Sequence, residues 1–149
     1  MILVQREDFD PGALLAGFAA GDTGVGAVCS FIGLVRDRGD SDGVNAMTLE
    51  HYPGMTEKQL AGIEAEARAR WPLADVLVVH RFGRLEPGER IVFVATASAH
   101  RAAAFDACAF LMDWLKTKAP FWKLEEGADG ARWVDAKATD DAAADRWRS

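Results

Sequence analysis

The chain has 149 residues, of which 50% are hydrophobic and 27% charged, a composition typical of one folded domain and not of a disordered protein. Its net charge of −6 argues against nucleic acid as the main partner, because a domain that binds a duplex normally presents a net basic face. Any anion site must therefore be a local concentration of Arg and Lys. Without an apolar run of membrane-spanning length or a signal-peptide pattern after Met1, we expect a cytoplasmic protein.

The N-terminal half is predicted to mix strands and helices in the order strand 2–5, helix 11–20, strand 25–35, strand 44–52 and helix 56–71. Asp10-Pro11 is an N-cap followed by proline at the first helical position, and Thr56 is predicted to cap the second helix. Glycines in and beside the strand 25–35 indicate a bulge or the close approach of another backbone. A polar, glycine-containing loop over residues 36–43 follows, with Arg36 at its root.

The C-terminal half is predicted to continue with strand 76–80, strand 90–97, a helix with Ser98 as its N-cap, strand 121–125 and strand 132–136. Because the strands and helices show no steady βαβ repeat, we predict an α+β fold with a largely antiparallel sheet and packed helices. Residues 1–137 form the single domain. Residues 138–149 are predicted to be a polar, frayed tail.

The helix after Ser98 contains the most informative pattern in the chain. It is predicted to end near Lys118, before Pro120, with an apolar stripe made of Phe105, Cys108, Ala109, Met112 and Leu115. Lys116 falls inside this stripe. Its ammonium either extends past the helix end or is partly desolvated, which would lower its pKa and suit a base or nucleophile. Both interpretations are open on the sequence.

Other cations lie close to this helix. Lys118 and Lys123 follow Lys116, while His100-Arg101 open the helix, where free N–H groups favour an anion. Arg101 and Lys116 are fifteen positions apart, roughly 22 Å at about 1.5 Å per residue, so a small substrate could not touch both. Either the ligand is extended, or the two ends serve different sites in a dimer, which is the interpretation we favour.

The cysteines and histidines suggest no activated thiol and no metal site. Cys29 and Cys108 are predicted to be buried free thiols without a neighbouring cation. His51 and His80 lie in strand-like runs and are predicted to be hydrogen-bonded structural residues. Since the three histidines lack metal-ligand spacing, we expect neither a metal nor a cofactor.

Five segments, covering about residues 25–137 in order, resemble one protein family. They are GAVCSFIGLVR (26–36), LEHYPGMT (49–56), HRFGRLEPGE (80–89), SAHRAAAF (98–105) and LKTKAPFWK (115–123). They are similar to the large, catalytic subunit of molybdopterin synthase. Three positions depart mildly from that pattern: Leu34 stands where relatives can carry lysine, and Lys118 and Lys137 where they can carry arginine.

The resemblance implies an α/β-hammerhead type of α+β fold and a sulfurtransferase activity. In that family, sulfur passes from a thiocarboxylate on the C-terminal glycine of a small ubiquitin-like subunit to cyclic pyranopterin monophosphate, giving the dithiolene of molybdopterin. The family forms a heterotetramer around a dimer of large subunits. The resemblance places substrate binding at Leu34, Val35, Arg36, His100, Arg101, Lys116, Lys123, Leu124, Glu125 and Lys137, and we predict Lys116 and Lys123 as the catalytic groups.

The residues agree with this assignment, because two anionic reactants require a cationic pocket in an otherwise acidic protein. Two alternatives stay open. One is a non-catalytic adaptor that docks a ubiquitin-like sulfur carrier and uses its basic cluster only to hold the carrier tail. The other is a different phosphate-ligand enzyme on the same fold. Only a synthase would consume both the thiocarboxylated carrier and the pterin.

Overall fold

The structure is a computed structural model that describes residues 1–37, 44–118, 121–127, 130–134 and 138–148. Over these ranges, eight strands and four helices follow one another along the chain: β1 (Ile2–Gln5), α1 (Pro11–Gly17), β2 (Ala27–Leu34), β3 (Val44–His51), α2 (Met55–Arg70), β4 (Leu73–Arg81), β5 (Gly83–Leu85), β6 (Arg90–Ser98), α3 (Arg101–Thr117), β7 (Phe121–Gly127), β8 (Gly130–Val134) and α4 (Ala138–Asp145). The predicted loop residues 38–43, Pro120 and residues 135–137 lie outside the described part.

The strands form two four-stranded sheets, which we call sheet A (order β1-β4-β6-β2) and sheet B (order β5-β3-β7-β8). Among the described strands, β1 and β4 pair in parallel and the other pairs are antiparallel. The prediction of an α+β fold with largely antiparallel pairing is therefore confirmed. The division into two sheets was not predicted.

Sheet A is covered on both faces. On one face, α2 and α3 pack against β4 and β6 around a core that includes Leu60, Val78, Val94 and Leu111. On the other face, α1 and its flanks cover Val79 and Phe93. Such two-sided burial fits the near-continuous apolar sequences of β4 and β6. Sheet B has its own smaller core, made of Val35, Met47, Leu49 and Leu85.

Of the three helix N-caps predicted from the sequence, one is confirmed and two are wrong. Asp10 caps α1 as expected, because its Oδ1 accepts from the backbone N–H groups of Gly12 and Ala13 at 3.0 and 3.2 Å. The predicted cap at Thr56 is wrong: Gly54 is the N-cap of α2. The predicted cap at Ser98 is also wrong, because Ser98 ends β6 and its hydroxyl donates to the carbonyl of Pro72 at 2.8 Å.

The apolar face of α3 is rotated from the predicted stripe. Its buried residues are Ala104, Ala107, Cys108, Phe110, Leu111, Trp114 and Leu115. Cys108 and Leu115 were assigned correctly, but Phe105 is 61% exposed and Lys116 is exposed as well. The reason is that α3 packs at once on sheet A, α2 and α4, so its buried face is centred on Leu111 and Trp114. Of the two interpretations that were open for Lys116, its exposure favours an ammonium that extends past the helix end.

The predicted frayed tail is instead ordered against the domain. Ala144 of α4 is fully buried, and the ring of Trp147 lies edge-on to Trp71 and Phe110 at 5.5 and 5.7 Å between centroids. One aromatic residue thus anchors a segment whose composition is mostly polar.

Candidate active site

Four aromatic rings join the two sheets where β3, β4 and β7 meet. The imidazole of His80 stacks on the ring of Phe121 with centroids 3.9 Å apart and planes 16° apart. The ring of His51 lies 6.1 Å from that of Phe121 and 4.3 Å from that of Phe82, measured between centroids. We call Phe82, His51, Phe121 and His80 the ring column. It places residues from both sheets at one end of α3.

Both histidines of the ring column are hydrogen-bonded, as predicted. Nδ1 of His80 lies 2.8 Å from the carbonyl oxygen of Arg81, and Nδ1 of His51 lies 3.1 Å from the hydroxyl of Thr56. Burial, together with the nearby charge of Lys116, lowers the pKa of His80 to about 4, against the opposing effect of the bond to Arg81. At neutral pH the His80 imidazole is therefore uncharged.

Lys116 and Lys123 both lie beside the ring column. Lys116 is exposed in the last turn of α3, and its charge acts on His80. Lys123 is two residues after Phe121 on β7, so the alternation of a strand places the two side chains on the same sheet face, about 7 Å apart. Each of the two lysines that were predicted to be catalytic is thus next to a member of the ring column, Lys116 to His80 and Lys123 to Phe121. Two amines beside a neutral imidazole can hold an anion and deliver protons to it.

The residues after Lys123 divide between the two faces of sheet B. Glu125, 2% exposed, lies on the face of Lys123, while half-buried Leu124 alternates to the opposite face. Of the predicted pair, Glu125 is the one that shares the lysine side of the sheet. Lys137 lies outside the described residues.

In the segment Leu34-Val35-Arg36, the first and last side chains are exposed and the middle one is buried. Leu34 is 54% exposed at the end of β2. Val35 is 6% exposed, packs in the core of sheet B, and accepts at its carbonyl from the N–H of Gly88 at 2.8 Å. The buried side chain of Val35 anchors the backbone next to the exposed Arg36, and it is not itself available to a ligand.

His100 and Arg101 lie at the other end of α3. His100 is the N-cap residue, Arg101 is the first helical residue, and both side chains are exposed. Gly26 packs against this junction: a Cβ there would lie 2.2 Å from the carbonyl oxygen of Ala99, so the close backbone approach predicted for this glycine region is confirmed. With α3 continuous over its length, Arg101 and Lys116 remain roughly 22 Å apart within one chain.

Two aromatic features of the structure were not expected from the sequence. The ring column was not predicted, because His51, His80 and Phe121 were interpreted one by one as packing residues. A surface hollow of about 460 Å³ on the opposite face of sheet B, lined by Tyr52, Trp122 and Trp133, was also missed. The alternation of Phe121, Trp122 and Lys123 was the available signal, since it sends Trp122 to the face away from the lysine.

Two further observations concern what the described ranges lack. In them, no three or more His, Cys, Asp or Glu side chains are grouped so that they could hold a metal ion. None of the described helices combines the length and apolarity that a membrane crossing requires.

Comparison with known proteins assigns the chain to a family. The family described as MoaE protein matches residues 4–118. A "Molybdopterin synthase catalytic subunit" of Pseudomonas aeruginosa is 60% identical over 146 residues, which is 98% of this chain and 97% of the relative. The solved structure of the molybdopterin biosynthesis MoaE protein from Burkholderia ambifaria superposes with a TM-score of 0.85 at 54% identity, covering 100% of this chain and 98% of the other.

A more distant structure shares the fold. It is a chain of the protein–protein complex of subunits 1 and 2 of molybdopterin-converting factor from Helicobacter pylori, with a TM-score of 0.73 at 19% identity and coverage of 92% and 90%. From the family match and the 60% identity over almost its whole length, this chain belongs to the MoaE family, the sulfurtransferase catalytic subunits of molybdopterin synthase in molybdenum cofactor biosynthesis.

Proposed function

We propose that this chain transfers sulfur from a protein thiocarboxylate to cyclic pyranopterin monophosphate and so forms the dithiolene of molybdopterin. The observation that carries the proposal is the convergence of Lys116 and Lys123 on the ring column, from two different elements of the fold. Both reactants are anions, and two amines supply the positive charge that a protein of net charge −6 otherwise lacks.

The two lysines differ in environment, and this suggests different tasks. Lys116 is exposed, so its ammonium can reach a chain terminus that arrives from solvent and can orient the thiocarboxylate or transfer a proton to it. Lys123 is half-buried on the sheet beside Phe121, where it assists by stabilising negative charge on the pterin side. Glu125, on the same face, and the exposed Arg36 are further substrate-binding residues in this proposal. Leu34 and Lys137 stay predictions from the resemblance, and Leu124 faces the other side of sheet B.

The sulfur donor in this proposal is a small ubiquitin-like subunit that carries the thiocarboxylate on its C-terminal glycine. The Helicobacter pylori structure of similar fold comes from a two-subunit complex, which supports a second subunit here. The extended tail of the small subunit would reach Lys116 from the solvent side, where that lysine is exposed.

A homodimer at the centre of a heterotetramer is the second part of the proposal. Strand β2 is an edge of sheet A, and it exposes large apolar side chains, as α3 does at Phe105; we call this set the β2 edge patch: Val28, Phe31, Ile32, Leu34 and Phe105. An exposed edge strand with several exposed apolar side chains is a typical association surface. A second copy on this patch would explain why Phe105 is exposed.

The dimer would also complete the site. His100 and Arg101 lie about 22 Å from Lys116 in one chain, too far for a pterin to touch both ends. We propose that they hold the phosphate or pterin of the neighbouring protomer's site, where the N-terminus of α3 adds favourable N–H groups.

The proposal is tested by mixing the purified protein with thiocarboxylated small subunit and cyclic pyranopterin monophosphate. Lys116→Ala is expected to abolish most product formation and Lys123→Ala to reduce it, whereas Lys58→Ala, an exposed lysine on α2, should behave as wild type. Normal molybdopterin formation by Lys116→Ala would refute the assigned role. Binding of the small subunit without consumption of either reactant by the wild-type protein would identify a non-catalytic adaptor instead.

A further inference from the structure

The ring of His80 in sheet A contacts the ring of Phe121 in sheet B. His80 ends the apolar part of β4 and is 8% exposed, while Phe121 is the first residue of β7. Their rings are nearly parallel at 3.9 Å. On the side of sheet A, the start of β7 therefore rests on the imidazole of His80, and Lys123 is only two residues further along the same strand.

The hydrogen bonds of the ring column fix the state of its histidines. A carbonyl oxygen can only accept, so Nδ1 of His80 carries the proton that is donated to Arg81, and Nε2 has a lone pair. The Thr56 hydroxyl donates its one proton to the carbonyl of Tyr52 at 2.8 Å, so it must accept from Nδ1 of His51. In both imidazoles, therefore, Nδ1 carries a proton.

Acid–base or metal chemistry does not account for His80. With a pKa lowered to about 4, its imidazole is a poor proton acceptor at neutral pH. Within the described ranges, it is not part of any group that could hold a metal ion. What distinguishes His80 is its place: a flat, uncharged, buried ring next to one cation and under the strand that carries another.

We propose that His80 is a positioning residue for sulfur transfer: its neutral imidazole, stacked on Phe121, holds the start of β7 so that Lys123 stays beside Lys116. The inference rests on the function proposed above for the two lysines. A neutral ring suits this position, because an imidazolium would add a third positive charge at the site and repel the lysine ammonium groups. An aliphatic side chain would lack the flat face that Phe121 covers.

The experiment compares His80→Ala with His80→Phe in the sulfur-transfer assay with thiocarboxylated small subunit and cyclic pyranopterin monophosphate. His80→Ala removes the stacking face, and we expect kcat to fall about tenfold or more, since small misplacements of catalytic groups are costly, with KM for the small subunit within about twofold. His80→Phe keeps a flat neutral ring and should retain most of kcat. Val79→Ala, also buried on β4 but facing α1, controls for lost stability without lost stacking.

A double-variant test separates positioning from simple destabilisation. Phe121→Ala should lower kcat as His80→Ala does, and the combined variant should be no worse than the poorer single variant, because the stack is already lost. Thermal unfolding of each variant gives the folded fraction, and if His80→Ala does not fold, the comparison of His80→Phe with Phe121→Ala decides the question.

Three results would overturn the inference: wild-type kcat in His80→Ala, equal loss of kcat in His80→Ala and His80→Phe, or losses that multiply in the combined variant. If His80→Ala does not fold, either of two other results would overturn the inference. One is a wild-type kcat in Phe121→Ala, and the other is a loss of kcat in His80→Phe that equals the loss in Phe121→Ala. Full activity of Lys116→Ala and Lys123→Ala would instead refute the proposed function, whatever the His80 variants do.

Discussion

Trp147 donates its indole N–H to Oδ2 of Asp113 over 2.6 Å, which ties the C-terminal segment to α3. Arg146 donates to the same oxygen at 2.9 Å, so one carboxylate accepts from two successive residues of the tail. Asp113 lies three residues before Lys116, which is about one helical turn. The C-terminal segment therefore stabilises the part of α3 that carries the proposed catalytic lysine.

We expect Asp113→Asn to lower the free energy of unfolding by about 1 kcal/mol, because it weakens two charge-assisted hydrogen bonds at a partly exposed site. For a chain of this size, that change corresponds to a fall in Tm of about 2–4 °C. Asp106→Asn, an exposed carboxylate on the same helix, is the matched control and should change the stability by less than about 0.5 kcal/mol. Equal effects of the two substitutions in thermal unfolding would show that the tail contact does not stabilise α3.

The thiol of Cys108 is expected to be unreactive. Burial, with a further contribution from the neighbouring Cys29, raises its pKa to about 12. At pH 8 its thiolate fraction would then be only about 10⁻⁴, and the thiolate is the reactive form. Iodoacetamide at pH 8 should label Cys29, which is half-buried, before Cys108 in the native protein, and both quickly in denaturant.

The same reasoning predicts that the sulfur does not pass through a cysteine of this chain. The double variant Cys29→Ala, Cys108→Ala should retain molybdopterin formation when it is assayed well below its Tm. A complete loss of sulfur transfer in a variant that is folded by circular dichroism would contradict this.

Asp8 provides a pH-dependent contribution to stability. Its carboxylate accepts from Nε and Nη2 of Arg90 at 3.1 and 2.8 Å, and this pairing holds the pKa of Asp8 below the ordinary 3.8. Because the folded-state pKa is depressed, the contribution is present above about pH 4 and is lost as the pH falls through the lower, folded-state value. Both partners are partly exposed, so the effect should stay below about 1 kcal/mol.

The measurement is the Tm of wild type and Asp8→Asn at pH 7 and near pH 2.5. The two proteins should differ at pH 7 and approach each other in acid. Glu7→Gln, an exposed neighbour, should match wild type at pH 7. A Tm difference for Asp8→Asn that is as large in acid as at neutral pH would argue against the assigned ion pair.

Local signals in the sequence were reliable where one short-range contact decides the structure. Asp10-Pro11 starts α1 because the cap and the proline act within one helical turn. Thr56 has the same kind of side chain as a cap, but it is buried, and its hydroxyl donates to Tyr52 and accepts from His51. Whether a hydroxyl caps a helix or supports an aromatic cluster depends on tertiary contacts that a local pattern does not contain.

The candidate site was predictable in its charges but not in its arrangement. The resemblance placed Lys116 and Lys123 near each other, seven positions apart, and the structure places both beside the ring column. His80 and Phe121 are 41 positions apart and belong to different sheets, so their stacking could not follow from periodicity. The helical wheel placed Lys116 in the apolar stripe of α3, whereas the structure exposes it. The reason is that the buried face of α3 depends on its packing against sheet A, α2 and α4, which the wheel does not contain.

The proposed dimer predicts that two variants with substitutions in different protomers can complement each other, which a site within one chain would not allow. If Lys116 and Lys123 of one protomer work with Arg101 of the other, a heterodimer of Lys116→Ala and Arg101→Ala has one intact site of two and should show about half of wild-type activity. The two differently tagged chains are co-expressed, and the heterodimer is isolated by sequential affinity purification. A heterodimer of Lys116→Ala and Lys123→Ala is the control, because each of its two sites lacks one lysine, and its activity should stay well below half of the wild-type value.

Disruption of the interface should have a matching effect. Ile32→Glu places a carboxylate in the β2 edge patch and is expected to shift the protein to a monomer in light scattering and to remove activity, while Leu15→Glu on the exposed side of α1 should leave the dimer intact. An Ile32→Glu protein that is monomeric and fully active would show that each chain holds a complete site. In that case Arg101 would have to act far from Lys116, on a separate part of the ligand, because α3 keeps their backbones roughly 22 Å apart.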